Sequence, residues 1–174
     1  MSVFDSLSQE HALLLKLVGR LERAAAEKDE RVSAREMRNI LLVLFKALEA
    51  HEGLERLIFD DSPDLPSAAA YKALASVEHQ HQALTDLRKE SLALLASITP
   101  EATPAIRDLA LRLASLLRRH FDEEERTLWP SFNACAGRST LHRLSRQAHD
   151  QYVTMERDIN RYWVEVESYM SGNC

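Results

Sequence analysis

The sequence predicts an all-α fold, an up-down-up-down four-helix bundle followed by a fifth helix. Alanine, leucine, glutamate and arginine are abundant, whereas the 174 residues include only four glycines and five prolines and few β-branched residues. Apolar residues recur at helical spacing through five segments that are separated by capping or breaking patterns. The chain length and an apolar fraction of 45% predict one domain, residues 1–174, with enough apolar surface for a core.

Two capping patterns predict the first helical hairpin. A capping box at residues 6–9 predicts a first helix that runs to about residue 28. A second capping box, at residues 33–36, predicts the start of the next helix. That helix is expected to end near Asp60, because residues 61–66 contain two prolines and read as a breaker.

Three more helices follow in the prediction. The third carries the apolar positions Leu74, Val77 and Leu84 and stops near Ile98. Thr103, followed by a proline, is expected to cap a fourth helix that ends around residue 130. These four helices form a predicted bundle core at about residues 6–133. A fifth helix is predicted at about residues 139–170, as an addition to the bundle.

Charge and hydropathy exclude several kinds of partner. The formal net charge is −5 and no basic stripe alternates with aromatic residues, so nucleic acid is not an expected partner. No apolar run approaches the roughly 18 to 20 residues that a membrane span needs. The N-terminus lacks the pattern of an export signal, and the two cysteines form no Cys-x-x-Cys pair. We therefore expect a cytoplasmic protein that does not associate with membranes.

Two His-x-x-x-Glu pairs lie within apolar helical stripes, and each follows a lone histidine by 40 (11 to 51) or 39 (81 to 120) residues. The six residues are His11, His51, Glu55, His81, His120 and Glu124. Positions four apart lie on one face of a helix, which here is the face directed at the core. Burying an unpartnered polar group costs ~2–7 kcal/mol, and a metal centre satisfies all six groups together.

The spacing also places the four histidines at one height in the bundle. Residues 11 to 28 and residues 34 to 51 both span 17 positions, which puts His11 level with His51 across the first hairpin. In the second hairpin, residues 81 to 97 and residues 104 to 120 both span 16 positions. The two halves therefore resemble a degenerate duplication, with a single site on a pseudo-twofold axis.

Alternatives for individual residues remain open at this level. A lone histidine on an apolar face is often a core residue with a backbone partner, and His51 with Glu55 alone could be a neutral hydrogen-bonded pair. His79 and His81 lie about 200° apart on a helix, so only one of them faces the site. His81 shares the apolar stripe and is the predicted ligand, whereas His79 is expected to be solvated.

Other polar residues near the motif receive weaker roles. Glu52 and Glu123 are expected beside the site, where they would orient imidazoles. Asp122 and Glu125 are assigned to a solvated acidic face. His149 is kept as a candidate for an extra ligand, and a further histidine, at position 142, reads as a surface residue.

The ordered motif resembles the hemerythrin-like (HHE cation-binding) family over about residues 6 to 133. Gln9-Glu10-His11 before Leu14, and Leu128-Trp129-Pro130 after the fourth-helix glutamate, agree with it. The resemblance implies a four-helix bundle that holds a non-haem di-iron centre, with four terminal histidines and two bridging glutamates. These residues would be the histidines 11, 51, 81 and 120 and the glutamates 55 and 124.

One departure from the oxygen carriers of the family indicates a particular branch. Those proteins use another histidine four positions along the third helix, where this chain has Thr85, and a more distant fourth-helix aspartate in place of Glu124. The chain is thus similar to the four-histidine, two-glutamate branch. Its members are associated with iron and oxygen sensing, nitric-oxide or peroxide chemistry, and repair of iron centres, so simple oxygen storage is not expected.

The donor types predict the metal and leave three functions open. Imidazole and carboxylate suit two iron ions, with manganese or zinc as alternatives, and an oxo or hydroxo bridge or a small ligand would complete the coordination. The leading hypothesis is a di-iron protein that binds, senses or reacts with O₂, NO or peroxide. A peroxide-degrading di-iron enzyme is the second. The third is a helical interaction module with a structural metal, in which the fifth helix is the surface for a homodimer or for another partner.

Overall fold

The structure, a computed structural model, describes residues 2–60, 67–96, 102–135 and 137–170. Within them the helices are α1, Val3–Ala26; α2, Glu30–Asp60; α3, Ala68–Leu95; α4, Thr103–Glu123; α5, Trp129–Cys135; and α6, Arg138–Met170. One π-helical turn, Glu124–Leu128, joins α4 to α5. The described residues include no β-strand, so the predicted all-α fold is confirmed.

The first four helices form the predicted bundle. Helix α1 packs against α2 and α4, and α3 packs against α4. Helix α6 is the additional C-terminal helix, and it lies along α1 and α2. It buries Leu144, Ala148, Met155 and Ile159, so an apolar face of this helix packs on the bundle. None of the helices in the described ranges has the length and apolar character that crossing a bilayer requires.

Helix α1 begins earlier than the sequence predicts. Ser2 and Asp5 form the capping box, in which the Asp5 amide donates to Ser2 Oγ at 3.1 Å and the Ser2 amide donates to Asp5 at 2.7 Å. The predicted box at residues 6–9 is wrong, because Ser2 already satisfies the first turn and Ser6 lies buried inside the helix.

Helix α2 also begins earlier than predicted. The Asp29 carboxylate accepts from the amides of Arg31 and Val32, and it thereby caps the first turn. Ser33, predicted as the cap, is buried and donates its hydroxyl to the Ala24 carbonyl at 2.8 Å. It therefore ties α2 to the end of α1. The predicted breaker at residues 61–66 and the predicted end of the third helix near Ile98 fall outside the described residues.

The fourth predicted helix differs at both ends. Thr103 is the first helical residue and makes no capping hydrogen bond, so its predicted role as the cap is wrong. Regular α-helix stops at Glu123, and in the π-turn the Trp129 amide reaches back five residues to the Glu124 carbonyl. Pro130 gives the physical reason, because it has no N–H and its ring collides with the carbonyl four residues earlier. The sequence predicts that the fourth helix ends around residue 130, but the helical path continues as α5.

Within the part of the chain that the structure describes, the apolar core forms two clusters. One lies toward the α1–α2 turn and includes Leu14, Leu44 and Leu117. The other lies toward the opposite end and includes Leu7 and Phe132. Along α1, α2 and α3, the histidine of the sequence motif falls between residues of the two clusters, and after the α4 histidine the second cluster follows in the π-turn and α5. The structure thus has a polar layer across the bundle, with apolar packing on both sides.

Candidate metal centre

All four motif histidines lie in this polar layer, one on each bundle helix. His11, His51 and His120 are at most 1% exposed, whereas the His81 side chain is 19% exposed. Their apolar neighbours along each helix bury that face, and so the imidazoles are carried into the interior. The matched helix positions that the sequence indicates therefore bring the four rings together.

The six motif residues form two groups of four potential metal donors. His11 and His51 make one group with both glutamates, and His81 and His120 make the other group with the same two glutamates. Within each group, one ligand atom from each residue lies within 4.8 Å of all the others. The two groups therefore share Glu55 and Glu124.

Each shared carboxylate directs its two oxygens to different histidine pairs. Glu55 Oε1 lies 3.1 Å from His51 Nε2, and Oε2 lies 3.2 Å from His81 Nε2. Glu124 Oε2 lies 3.3 Å from His11 Nε2, and Oε1 lies 3.3 Å from His120 Nε2. A carboxylate placed in this way can connect two ions, one beside each histidine pair.

The donor atoms are arranged as ligands of two metal ions, and most of them do not form hydrogen bonds with each other. Both oxygens of Glu55, both oxygens of Glu124, and Nε2 of His81 and His120 are buried without a hydrogen-bond partner among the described residues. Buried polar atoms without partners are rare and require an explanation. Ligands about 2.1 Å from one metal ion are about 3 Å apart, which is close to the nitrogen–oxygen distances of 3.1–3.3 Å.

Carboxylates hold the outer nitrogens of the first histidine pair. His51 Nδ1 donates to Glu10 Oε2 at 2.8 Å, and both residues are fully buried. Gln151 on α6 donates to both Glu10 oxygens, at 3.2 and 3.3 Å. His11 Nδ1 donates to Glu125 Oε1 at 2.9 Å. Because a carboxylate can only accept, each bond places a proton on Nδ1 and turns Nε2 toward the centre.

An amide holds the outer nitrogen of His120. His120 Nδ1 donates to Gln80 Oε1 at 3.0 Å. The Gln80 amide nitrogen donates to Glu123 at 2.6 Å and to Ser76 at 3.3 Å, which fixes the orientation of the amide. Ser76 also donates to Glu123, at 3.0 Å. Glu123 therefore acts on the imidazole through Gln80, and not directly.

The pKa values of the site residues are shifted in different directions. Burial lowers the pKa of His11 to about 4 and that of His120 to about 3. Burial also opposes charge on His51, but Glu55 and a hydrogen bond to Glu10 outweigh it and hold the His51 pKa well above its ordinary value. Burial, followed by the charge of Glu55, raises the pKa of Glu124 well above its ordinary value.

Aromatic rings cover one side of the site. Phe121 stacks on the His11 ring at a centroid distance of 3.9 Å, and Trp129 stacks on it at 4.7 Å. Phe121 belongs to one apolar cluster and Trp129 to the other. His11 is therefore shielded from water, whereas His81 on the opposite pair is not fully covered.

The weaker candidates are separated from the site. His79, His142 and His149 are exposed and belong to neither donor group. Glu52 is largely buried near His81, and burial raises its pKa, but it makes no hydrogen bond to an imidazole in the described structure. Asp122 is exposed and pairs with an arginine, as expected for a solvated face.

Sequence reasoning missed several residues that hold the imidazoles. The assignment of Glu125 to a solvated acidic face was wrong, because this half-exposed carboxylate accepts from His11. Glu10 and Gln80 also received no role. Each directly precedes a lone histidine, and this repetition in both halves was the available signal. Gln151 on α6 had no comparable signal in the sequence.

Comparison with known proteins agrees with this arrangement. The family described as Hemerythrin HHE cation binding domain matches residues 2–131 and, in a second match, residues 72–172. No significant match was found among curated proteins or solved structures. The first match covers the four bundle helices with all six motif residues, and the second begins within α3. The chain therefore belongs to the hemerythrin HHE cation-binding domain family.

Proposed function

We propose that the protein is a non-haem di-iron protein that binds, senses or reacts with O₂, NO or peroxide, with a role in iron homeostasis or iron-centre repair. One observation carries the proposal: two groups of four donors share Glu55 and Glu124, and each of these glutamates directs one oxygen to each group. In this proposal the four histidines 11, 51, 81 and 120 are terminal ligands. The two glutamates connect the ions.

The donor set supports iron. Each ion would have two imidazole nitrogens and two carboxylate oxygens, a combination that suits iron and manganese and accepts zinc. No thiolate is available in either donor group, so a soft ion such as copper(I) is disfavoured. The two glutamates offset half of the +4 charge of two divalent ions. A buried iron pair is therefore balanced better than two ions held by imidazole alone.

The number and placement of the donors support the binding of small ligands. Four protein donors are fewer than the six that octahedral iron takes, and the bound ions would supply redox chemistry at the remaining positions. The protein groups hold each Nε2 lone pair toward the centre through hydrogen bonds at Nδ1, for example from His11 to Glu125 and from His120 to Gln80. The partly exposed His81 marks the side on which a small molecule approaches.

The first experiment measures iron and its response to these ligands. Metal-free protein is loaded anaerobically with ferrous iron, and about two irons per chain are expected. Near-ultraviolet absorption is then expected to change on addition of O₂, NO or peroxide. A chain that takes up no iron, or an iron-loaded chain that responds to none of the three, would contradict the proposal.

A matched pair of variants on α3 controls for non-specific binding. His81→Gln removes a donor and is expected to reduce the iron content toward one per chain. His79→Gln, two residues away and exposed, is expected to keep two irons per chain. Equal iron contents in the two variants would remove His81 from the site.

Two alternatives are separated by further measurements. Steady-state peroxide consumption would indicate a peroxide-degrading enzyme, whereas a stoichiometric response favours a sensor or an iron donor. The interaction module with a structural metal has support from an apolar groove of about 440 Å³ between α2 and α6, whose lining includes the 44% exposed Leu42. Sedimentation of the metal-free, ferrous and ferric forms tests whether α6 forms a homodimer and whether iron affects it.

A further inference from the structure

We infer that the two metal positions are unequal in affinity. The α1/α2 position, between His11 and His51, binds its ion first and tightly. The α3/α4 position, between His81 and His120, binds its ion more weakly and exchanges it with solvent. This inference rests on the proposed metal centre, and it concerns how that centre is filled and emptied.

The imidazole rings of the two positions have almost the same arrangement. The rings of His11 and His51 have a centroid distance of 4.7 Å and an interplanar angle of 66°. The corresponding values for His81 and His120 are 4.7 Å and 67°. Both positions also use the same two carboxylates. A difference in affinity therefore has to arise from the groups around the imidazoles.

The residue before each lone histidine marks that difference. Glu10 precedes His11 and accepts from Nδ1 of His51 at 2.8 Å. Gln80 precedes His81 and accepts from Nδ1 of His120 at 3.0 Å. The two contacts correspond in both halves, but one acceptor is a carboxylate and the other is an uncharged amide.

A carboxylate at Nδ1 makes the imidazole a stronger donor to a metal at Nε2. Loss of such an outer partner typically lowers metal affinity 10–100-fold. At the α1/α2 position both imidazoles have a carboxylate at Nδ1, because His11 donates to Glu125 and His51 donates to Glu10. Gln151 on α6 holds Glu10 in place through both of its oxygens. The α1/α2 position thus has two anionic outer partners.

At the α3/α4 position no carboxylate accepts a hydrogen bond directly from an imidazole Nδ1 among the described residues. On the Nδ1 side of His120 the carboxylate is Glu123, and it lies one hydrogen bond further out, behind the Gln80 amide. Among the described residues, Nδ1 hydrogen bonds are made by the other three motif histidines and not by His81. Its side chain is 19% exposed, compared with 1% for His11. Charge and solvent access therefore both favour loss of the ion from this position.

The test exchanges the two outer groups by isosteric substitution. Co²⁺ is titrated anaerobically into the metal-free protein and followed by visible absorption and calorimetry. Two steps that differ at least tenfold in affinity are expected for the unmodified chain. Glu10→Gln is expected to weaken the first step 10–100-fold, and Gln80→Glu is expected to strengthen the second step by a similar factor. Either substitution then brings the two steps together.

Gln82→Glu is the matched control. It adds the same charge to the same helix, two residues from Gln80, at an exposed side chain that contacts Asp86. It is expected to leave both steps unchanged. A strengthening equal to that of Gln80→Glu would mean that general charge governs the affinity, and it would overturn the inference.

The remaining outcomes separate this inference from the proposed function. If Glu10→Gln acts on the second step, or if neither exchange changes the two steps, the positions are not unequal in the way inferred. If the unmodified chain takes up no Co²⁺, the metal centre itself fails. Should Gln80→Glu not fold, the effect of Glu10→Gln on the first step decides the matter alone. Release of Co²⁺ to a chelator gives a second measurement, with one fast and one slow ion expected.

Discussion

His11 and His51 place their Nε2 atoms 2.9 Å apart in the interior of the protein. Only a proton, or a metal ion that draws in both lone pairs, makes such an approach favourable. Because His11 donates from Nδ1 to Glu125, its Nε2 is free to accept, and protonated His51 is the donor. In the metal-free protein, a proton on His51 therefore holds together two rings that an ion would otherwise join.

The metal-free protein is expected to be most stable near pH 6.5. Below that value, His11 and His120 take up protons only in the unfolded state, because burial lowers their folded pKa from 6.5 to about 4 and about 3. Glu124, whose folded pKa is raised well above 4.5, opposes this with one proton held in the folded state. The unfolded state therefore binds more protons than the folded state in this range, so the free energy of unfolding is expected to fall as the pH decreases from 6.5 to 4.5.

Above pH 6.5 the sign reverses, because His51, whose folded pKa is raised, loses its stabilising proton as the pH increases. Urea unfolding in the presence of a chelator measures the free energy of unfolding both below and above pH 6.5. The variant His120→Gln removes one of the two histidines that take up a proton only on unfolding. The free energy of unfolding is therefore expected to depend less steeply on pH between 6.5 and 4.5. An unchanged slope in this variant would show that surface groups cause the pH dependence.

The substitution Glu124→Gln is expected to stabilise the metal-free protein and to abolish its stabilisation by metal. Glu124 is fully buried, and neither of its oxygens has a hydrogen-bond partner among the described residues. Replacing this ionisable group with a neutral amide is expected to raise the free energy of unfolding by about 1–3 kcal/mol at pH 7. Ferrous iron at 100 times its Kd adds ~2.7 kcal/mol to the unmodified protein, and this gain is expected to be absent in the variant. A less stable metal-free variant would contradict the prediction.

Trp129→Ala is expected to reduce stability by about 3–5 kcal/mol, because it leaves a cavity beside the His11 ring. Trp129→Phe keeps a ring near the imidazole, so its cost is expected to be smaller. Chemical denaturation of both variants without metal gives the comparison. Equal costs for the two substitutions would mean that the stacking contact does not matter.

Much of the fold was predictable, because periodicity and spacing are local properties of the sequence. The five helical segments and the height of His11 relative to His51 follow from counting residues. The helix starts were misplaced because several polar residues compete to cap a first turn, as Ser2 does with Ser6. The π-turn was missed because Pro130 reads as an end, whereas the fold accommodates it within a continuing helix.

The outer partners of the imidazoles were harder to predict. Glu125 is half exposed and looks like any surface acid in the sequence, and only the approach of α1 gives it a partner. Gln151 reaches Glu10 across 141 positions of the chain, a contact that depends on where α6 docks. Spacing within one helix carries no information on such contacts.

The layer of imidazoles and carboxylates has a mechanical consequence for the whole bundle. Because the leucine-rich cluster on one side does not merge with the Phe132 cluster on the other, ions held in the layer would add a link between the two ends, beside the helices that run through both. A chain without bound metal would then be able to fray at one end while the other end stays folded. Loading it would restore a single cooperative transition.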